Sequence, residues 1–236
     1  MKDQKQDPIL VFPTLIGQSM VEVTEEEKDL WFNLYLKNSD EEGKSMDFLG
    51  FSEIHNSPEL DLFVHRVGIA VRHYLEHLSI EHEKLKINLV KTWFNVHKEC
   101  QGQLHDHAEA HISFVYYPHI NENVNREFEV YSYGAKRSNE PISNFYHHNA
   151  TATTLLNARS VRLAVNEGLI LVFPSDLGHK TVNPDNPQTP SGIEGFRTIA
   201  ELKETRFCVA GDILLTRKDS ERYERLLTPP DIWREI

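Results

Sequence analysis

The chain has 236 residues, 39% hydrophobic and 26% charged, which fits one large domain or one domain with a small appendage. Its 3 Trp, 8 Tyr and 12 Phe can fill a sizeable core, and this excludes a disordered chain. A net charge of −11, with no basic block to offset it, excludes unspecific binding to nucleic acid or to an anionic membrane surface.

The opening MKDQKQDP is polar, and no run approaches the roughly 18 apolar residues of a membrane span, so the expected setting is the cytoplasm with reduced thiols. The two cysteines, Cys100 and Cys208, lack the CxxC spacing of a thiolate zinc site. "PILVFPTLIGQSMVEV" is β-branched, aromatic and bounded by prolines, which predicts one or two short strands. Thr24 before Glu25, Glu26 and Glu27 predicts a capped helix that carries Leu30, Phe32, Leu34 and Tyr35 inward and fades near Asn38. Residues 40–56 read as loop. Ser57 and Pro58 then predict the cap and first turn of a second helix, with apolar residues from Leu60 to Leu75 at a period near 3.6.

From Leu85 the period falls to two, and the segment runs through Trp93-Phe94-Asn95. Segments 111–118, 126–133, 151–156, 160–166, 168–174 and 205–215 follow, each short and punctuated by Gly, Pro, Asn or Asp. Many short strands without helical periodicity between them predict a mainly β domain, a sandwich or barrel, against which the N-terminal helices pack. The expected organisation is a single domain: residues 1–84 form an N-terminal strand and two helices, 85–216 a jelly-roll core and 217–236 a C-terminal tail. The proline-rich 183-NPDNPQTPSGIEG-195 is too long for a simple hairpin and reads as a lid.

The segment 103-QLHDHAEAHISFVYY-117 crowds His105, His107 and His111 with Asp106 and Glu109 at the mouth of an apolar strand. On a strand, residues i and i+2 share a face, so His105 and His107 project together as half of a metal site. His179, which closes "GLILVFPSDLGHKTV", is the candidate third ligand, since neighbouring strands of a barrel are distant in sequence. Three protein ligands leave positions open for substrate and oxygen, as in non-haem Fe(II) oxygenases. His111 is a candidate fourth ligand.

"TWFNVHKECQGQLHDHAEAHISFVYYP" resembles the core of the 2-oxoglutarate/Fe(II) oxygenases, a group related to prolyl hydroxylases, at Trp93, Asn95, Gly102, His105, His107, Ser113, Val115, Tyr116 and Tyr117. "EGLILVFPSDLGH" resembles the family's second block at Gly168, Ile170, Phe173, Pro174, Ser175, Leu177 and His179. The likeness spans roughly residues 8–215. It implies a double-stranded β-helix (jelly roll), Fe(II) held by His105, His107 and His179, and 2-oxoglutarate with O2 as co-substrates. It also implies an arginine that pairs with the keto acid's distal carboxylate, because a guanidinium fork grips a carboxylate through two parallel hydrogen bonds. Arg206 opens "RFCVAGDILLT", which resembles the family's "R-[IF]-S-[IV]-x-x-[ND]" strand; Arg197 in "GFRTIAEL" competes for the role. Tyr116, Tyr131 and Tyr133 are candidates to line the pocket.

The sequence departs from the wider pattern His-x-Asp/Glu…His, because position 107 is histidine, leaving three neutral ligands unless Asp106 or Glu109 swings in. The link from His179 to Arg206 is also long. Two other readings stay open at this point. One is a cupin-type metalloprotein that does not use 2-oxoglutarate, with His111 as fourth ligand. The other is a non-catalytic jelly-roll binding module whose histidines are incidental. The substrate, a protein side chain or a small metabolite, is not legible.

Overall fold

The structure, a computed structural model, describes residues 14–45, 53–124, 127–131, 158, 160–186 and 188–218. Expected strand segment 151–156, residues 8–13 of the N-terminal strand and nearly all of the tail lie outside those residues, as does Tyr133. In chain order the elements are β1 (Gly17–Met20), α1 (Glu25–Lys37), α2 (Asp61–His77), β2 (Leu85–His97), β3 (Ile112–Ile120), β4 (Glu127–Tyr131), β5 (Ser160–Leu163), β6 (Leu169–Pro174), β7 (His179–Val182), α3 (Ile199–Leu202) and β8 (Arg206–Arg217). No helix among the described residues is long and apolar enough to cross a membrane.

The helices start where the caps predict, with one difference. Thr24 Oγ1 accepts from the Glu27 amide at 3.3 Å, and Glu25, Glu26 and Glu27 in the first turn complement the helix dipole. At the second helix the Ser57 side chain makes no capping bond. Its carbonyl accepts from the Leu60 amide at 3.0 Å, opening a short 3-10 turn over Pro58–Leu60 that leads into α2.

The strands form two antiparallel sheets, a five-stranded one in the order β1-β6-β3-β8-β2 and a three-stranded one in the order β5-β4-β7. This is the facing-sheet arrangement of a double-stranded β-helix, in which neighbours in space are distant in sequence. The larger sheet is buried on both faces, so its strands read as continuous apolar runs, as β6 (LILVFP) does. One face packs on the helices: Phe94, Phe114, Tyr116, Ile170, Val172, Phe207 and Val209 meet Trp31, Phe32, Tyr35, Phe63 and Val71. The other faces the small sheet: Trp93, Val115, Tyr117, Leu171, Phe173, Cys208 and Ala210 meet Phe128 and Val130. Each core side chain removed from water contributes about 1.5–3 kcal/mol before entropy is charged.

Gly168 ends the turn before β6 with φ +82°, and a Cβ there would lie 2.1 Å from the Val21 carbonyl oxygen, so only glycine fits. That fit lets β1 lie against β6, with Val21 N donating to Gly168 O at 2.9 Å. The N-terminal segment is thus part of the large sheet rather than an external strand. After β6 the chain crosses at 175–178 from the large sheet to the small one, and His179 is the first residue of β7. This short strand was not legible beyond the turn, because four residues carry too little periodicity.

Candidate functional site

His105 and His179 are held opposite each other by a two-way backbone bridge. His105 N donates to His179 O at 3.1 Å, and His179 N donates to His105 O at 2.9 Å. His107 N donates to Ser175 O at 2.8 Å, anchoring the second residue of the pair to the crossover turn. Gly102 N donates to Thr181 O at 3.0 Å, and a Cβ on Gly102 would stand only 3.0 Å from the Thr181 nitrogen, so the small residue permits the approach. The segment from 101 to 107 is therefore zipped to 175–192 by isolated bonds rather than by a regular strand.

As a result one ring nitrogen of each of His105, His107 and His179 lies within 4.8 Å of the others. Ring centroids are 5.0 Å apart for His105 and His107, 4.4 Å for His105 and His179, and 5.3 Å for His107 and His179. In all three rings Nδ1 already faces an acceptor: Gln103 O at 2.8 Å, Asp212 Oδ2 at 3.1 Å and Leu177 O at 2.8 Å, respectively. Each bond selects the tautomer with the proton on Nδ1, which leaves a lone pair on Nε2. Burial, joined by the neighbouring imidazoles, lowers the His179 pKa to about 3, and burial likewise lowers that of His105. Neutral imidazoles with convergent lone pairs fit a first-row divalent ion, and metal-bound histidines ordinarily have such Nδ1 partners.

His111 is outside this group: its Nδ1 accepts from the Leu215 amide at 2.9 Å. The four-histidine set of the cupin reading is therefore not assembled. Asp106 and Glu109 are exposed and likewise outside the group. A carboxylate does reach the site, but from β8. Asp212 is 3% exposed, faces His107, and accepts from Ser113 Oγ at 2.7 Å. The sequence signal for it was present: Arg206, Cys208, Ala210 and Asp212 share one face of β8 by the period of two, and Asp212 fills the final position of the "R-[IF]-S-[IV]-x-x-[ND]" pattern.

Arg206 is 1% exposed. Nη1 donates to Thr181 Oγ1 at 3.0 Å and Nη2 to the Tyr117 hydroxyl at 2.9 Å, while Nε has no partner. Thr181 lies two residues beyond His179 on β7, about 6.6 Å along an extended strand and on the same face. Among the described residues no carboxylate pairs with Arg206, so within them a buried positive charge has no counter-ion, a costly arrangement unless an anion completes it. Burial raises the Tyr117 hydroxyl pKa, with the arginine opposing, so it stays a neutral donor and acceptor.

Arg197, the competitor, is exposed beside Gly43 on the loop after α1, and its backbone amide donates to Glu201. Tyr116 faces the helices instead of the pocket. Its hydroxyl donates to Glu27 Oε1 at 2.6 Å, and the barrel-side partner of Arg206 is its neighbour Tyr117. Tyr131, at the end of β4, donates its hydroxyl to Glu129 Oε2 at 2.5 Å, and Lys180 Nζ lies 5.6 Å from its ring centroid. The proline-rich 183–195 segment is tied down rather than free-swinging. The Glu194 carboxylate accepts from the amides of Lys98, Glu99 and Cys100 at 2.7–2.9 Å, and Gln101 N donates to Pro190 O at 3.0 Å.

A cavity of about 420 Å³ has His105 and Gln103 in its wall and extends along β2 past Phe94, Asn95 and His97 to Glu194 and Tyr35.

Residues 91–189 match a family model described as "Putative 2OG-Fe(II) oxygenase". No curated protein matches the chain. Solved structures similar to it include an oxidoreductase of the 2OG-Fe(II) oxygenase family from Burkholderia pseudomallei, at 11% identity over 84% of each chain with a TM-score of 0.45. Iron-bound HygX from Streptomyces hygroscopicus shares 13% identity over 85% of this chain and 82% of its own, with a TM-score of 0.40. A prolyl 4-hydroxylase structure from Phytophthora capsici shares 12% identity over 90% of this chain and 74% of its own, with a TM-score of 0.35. Likenesses this distant add nothing to what the strand order already carries.

Proposed function

We propose that this chain, which matches a 2OG-Fe(II) oxygenase family model over residues 91–189, is a 2-oxoglutarate/Fe(II) oxygenase that uses His105, His107 and His179 to hold iron and Arg206 to hold the distal carboxylate of 2-oxoglutarate. One observation carries the reading: three imidazoles, each with a ring nitrogen within 4.8 Å of the others, share the barrel with a buried guanidinium that bonds Thr181, two residues past His179, and that no carboxylate pairs with among the described residues. A dicarboxylic keto acid answers both halves, since one end can reach the ion and the other neutralises the arginine. When bound, iron(II) would activate O2, the oxidant, with the keto acid as two-electron reductant, so that one oxygen atom would end in succinate, formed with loss of CO2, and the other in a hydroxyl group on the substrate.

The protein's part is binding, orientation and exclusion of water. Tyr117 and Thr181 hold the Arg206 guanidinium in one plane, ready for two parallel bonds. Phe128 and Phe173 stand against the His179 ring, with centroids 5.3 and 5.0 Å away, and keep that side of the site apolar. The substrate approaches through the cavity that has His105 in its wall. A reducing compartment such as the cytoplasm suits Cys100 and Cys208, which form no disulfide.

Anaerobic titration of the Fe(II)-loaded, tag-free protein with 2-oxoglutarate tests the reading. A metal-to-ligand charge-transfer band that saturates at one equivalent is expected. A saturating band that is unchanged in Arg206→Met would remove the arginine from the proposal, and no band at all would remove the keto acid.

A further inference from the structure

The three-histidine set leaves a charge unaccounted for. A site of two histidines and one carboxylate brings one negative ligand to a divalent ion, whereas His105, His107 and His179 bring none. Asp212 is the buried acid nearest to making good that difference. It projects from β8, pairs across the sheet with Ser113 of β3, and its carboxylate spans the two groups, with Ser113 Oγ on Oδ1 and His107 Nδ1 on Oδ2. Among the described residues no Lys or Arg pairs with it, and its nearest ring partner is His107, which donates from Nδ1. A carboxylate desolvated this far is sustained by compensating charge, and the neighbouring imidazole supplies that only in part.

The three imidazoles are treated unequally. His105 and His179 hand Nδ1–H to backbone carbonyls, and His107 alone hands it to a carboxylate. The His107 ring is also stacked on both faces, against Trp93 at 5.1 Å and 21° and against His179 at 5.3 Å and 11°. Its orientation is therefore largely fixed by packing, so the acid's distinct contribution is charge and tautomer.

We propose that Asp212 is a positioning residue for the metal: through His107 it supplies, from just outside the ligands, the negative charge that a coordinating carboxylate would bring. It fixes the proton on Nδ1 and directs the lone pair to Nε2. Ser113 holds the carboxylate in the orientation this requires. The inference rests on the three-histidine metal reading.

Co(II) titration of the full-length, tag-free protein, followed by its visible spectrum and by the melting temperature of the metal-free form, tests it. Asp212→Asn keeps shape and one acceptor while removing the charge. Its Co(II) affinity is expected to fall by about 10–100-fold, the usual consequence of losing such a partner, with the metal-free melting temperature within a few degrees of wild type. Ser113→Ala is expected to weaken Co(II) by a smaller factor. Wild-type affinity and spectrum in Asp212→Asn would overturn the inference while leaving the metal reading intact. If that variant does not fold, wild-type affinity in Ser113→Ala overturns it instead. A wild-type chain that takes up no Co(II) would remove the metal reading and this inference together.

Discussion

Tyr116 and Tyr117 are adjacent on β3, both fully buried, and each ends next to an arginine or its partner on opposite faces of the large sheet. On the helix face the Tyr116 hydroxyl bonds Glu27, whose carboxylate also takes Arg66 Nη1 at 2.9 and 2.7 Å; Arg66 Nη2 then reaches the Glu22 carbonyl at 3.0 Å. That network is closed: the charge is balanced and α1, α2 and β3 are tied together. On the barrel face the Tyr117 hydroxyl meets Arg206, and the acid is missing among the described residues. Charge that a fold balances internally serves the fold, while buried charge left open points to something the fold receives from outside.

The sharpest way to break this contrast is at the histidines. His179→Ala is expected to lower Fe(II) or Co(II) affinity by more than the roughly 100-fold that loss of an outer partner costs, while Glu27→Ala leaves metal binding in place; metal stoichiometry of tag-free protein reads both. Next comes Arg206→Met. Removing one side of a buried charge pair costs about 2–5 kcal/mol, so 2-oxoglutarate affinity should drop by at least ~30-fold. Yet the ligand-free protein should melt at the same temperature or higher, because an uncompensated charge has been removed. Arg66→Met should do the opposite, lowering the melting temperature and leaving the keto acid's affinity unchanged. Two arginine variants with the same profile would erase the distinction between the faces.

Smaller effects sharpen it. Glu27→Ala leaves Arg66 and the Tyr116 hydroxyl without their acceptor, and an unfolding free energy lower by about 1–3 kcal/mol is expected in urea titration, with unaltered 2-oxoglutarate binding. Smallest is Tyr117→Phe, which deletes one hydrogen bond from the Arg206 fork and should weaken the keto acid by about 2–10-fold, against no change for Tyr116→Phe. If Tyr116→Phe carried that loss instead, the assignment of faces would be reversed.

The meeting of His105 and His107 with His179 was legible because a His-x-His pair on one segment and a lone histidine closing another make two short blocks that stand out in order. Helix α1 was legible from Thr24 and the acids behind it, since a cap is a local hydrogen-bond requirement. The choice between Tyr116 and Tyr117 was not, because both are apolar enough to be buried and β3 is covered on both sides, so alternation gives no polar phase to read. Asp212 was marked by its place in the β8 pattern, but its partner was hidden for a different reason. Its meaning lies in a bond to a residue more than a hundred positions away, and a lone acid in an apolar run carries no sign of which side chain it will meet.

Composition and local pattern determined that this chain would be a mainly β domain with two N-terminal helices and a histidine-rich segment at the start of a strand. These follow from interactions between residues a few positions apart, which a linear sequence displays. Only the tertiary structure decided which face each strand residue takes, that His111 stands outside the histidine group and Arg197 at the surface while Asp212 bonds His107 and Tyr117 bonds Arg206, and that no acid among the described residues pairs with Arg206. Those outcomes depend on strand register and on the burial of charge, and both are set by the packing of segments that the sequence keeps far apart.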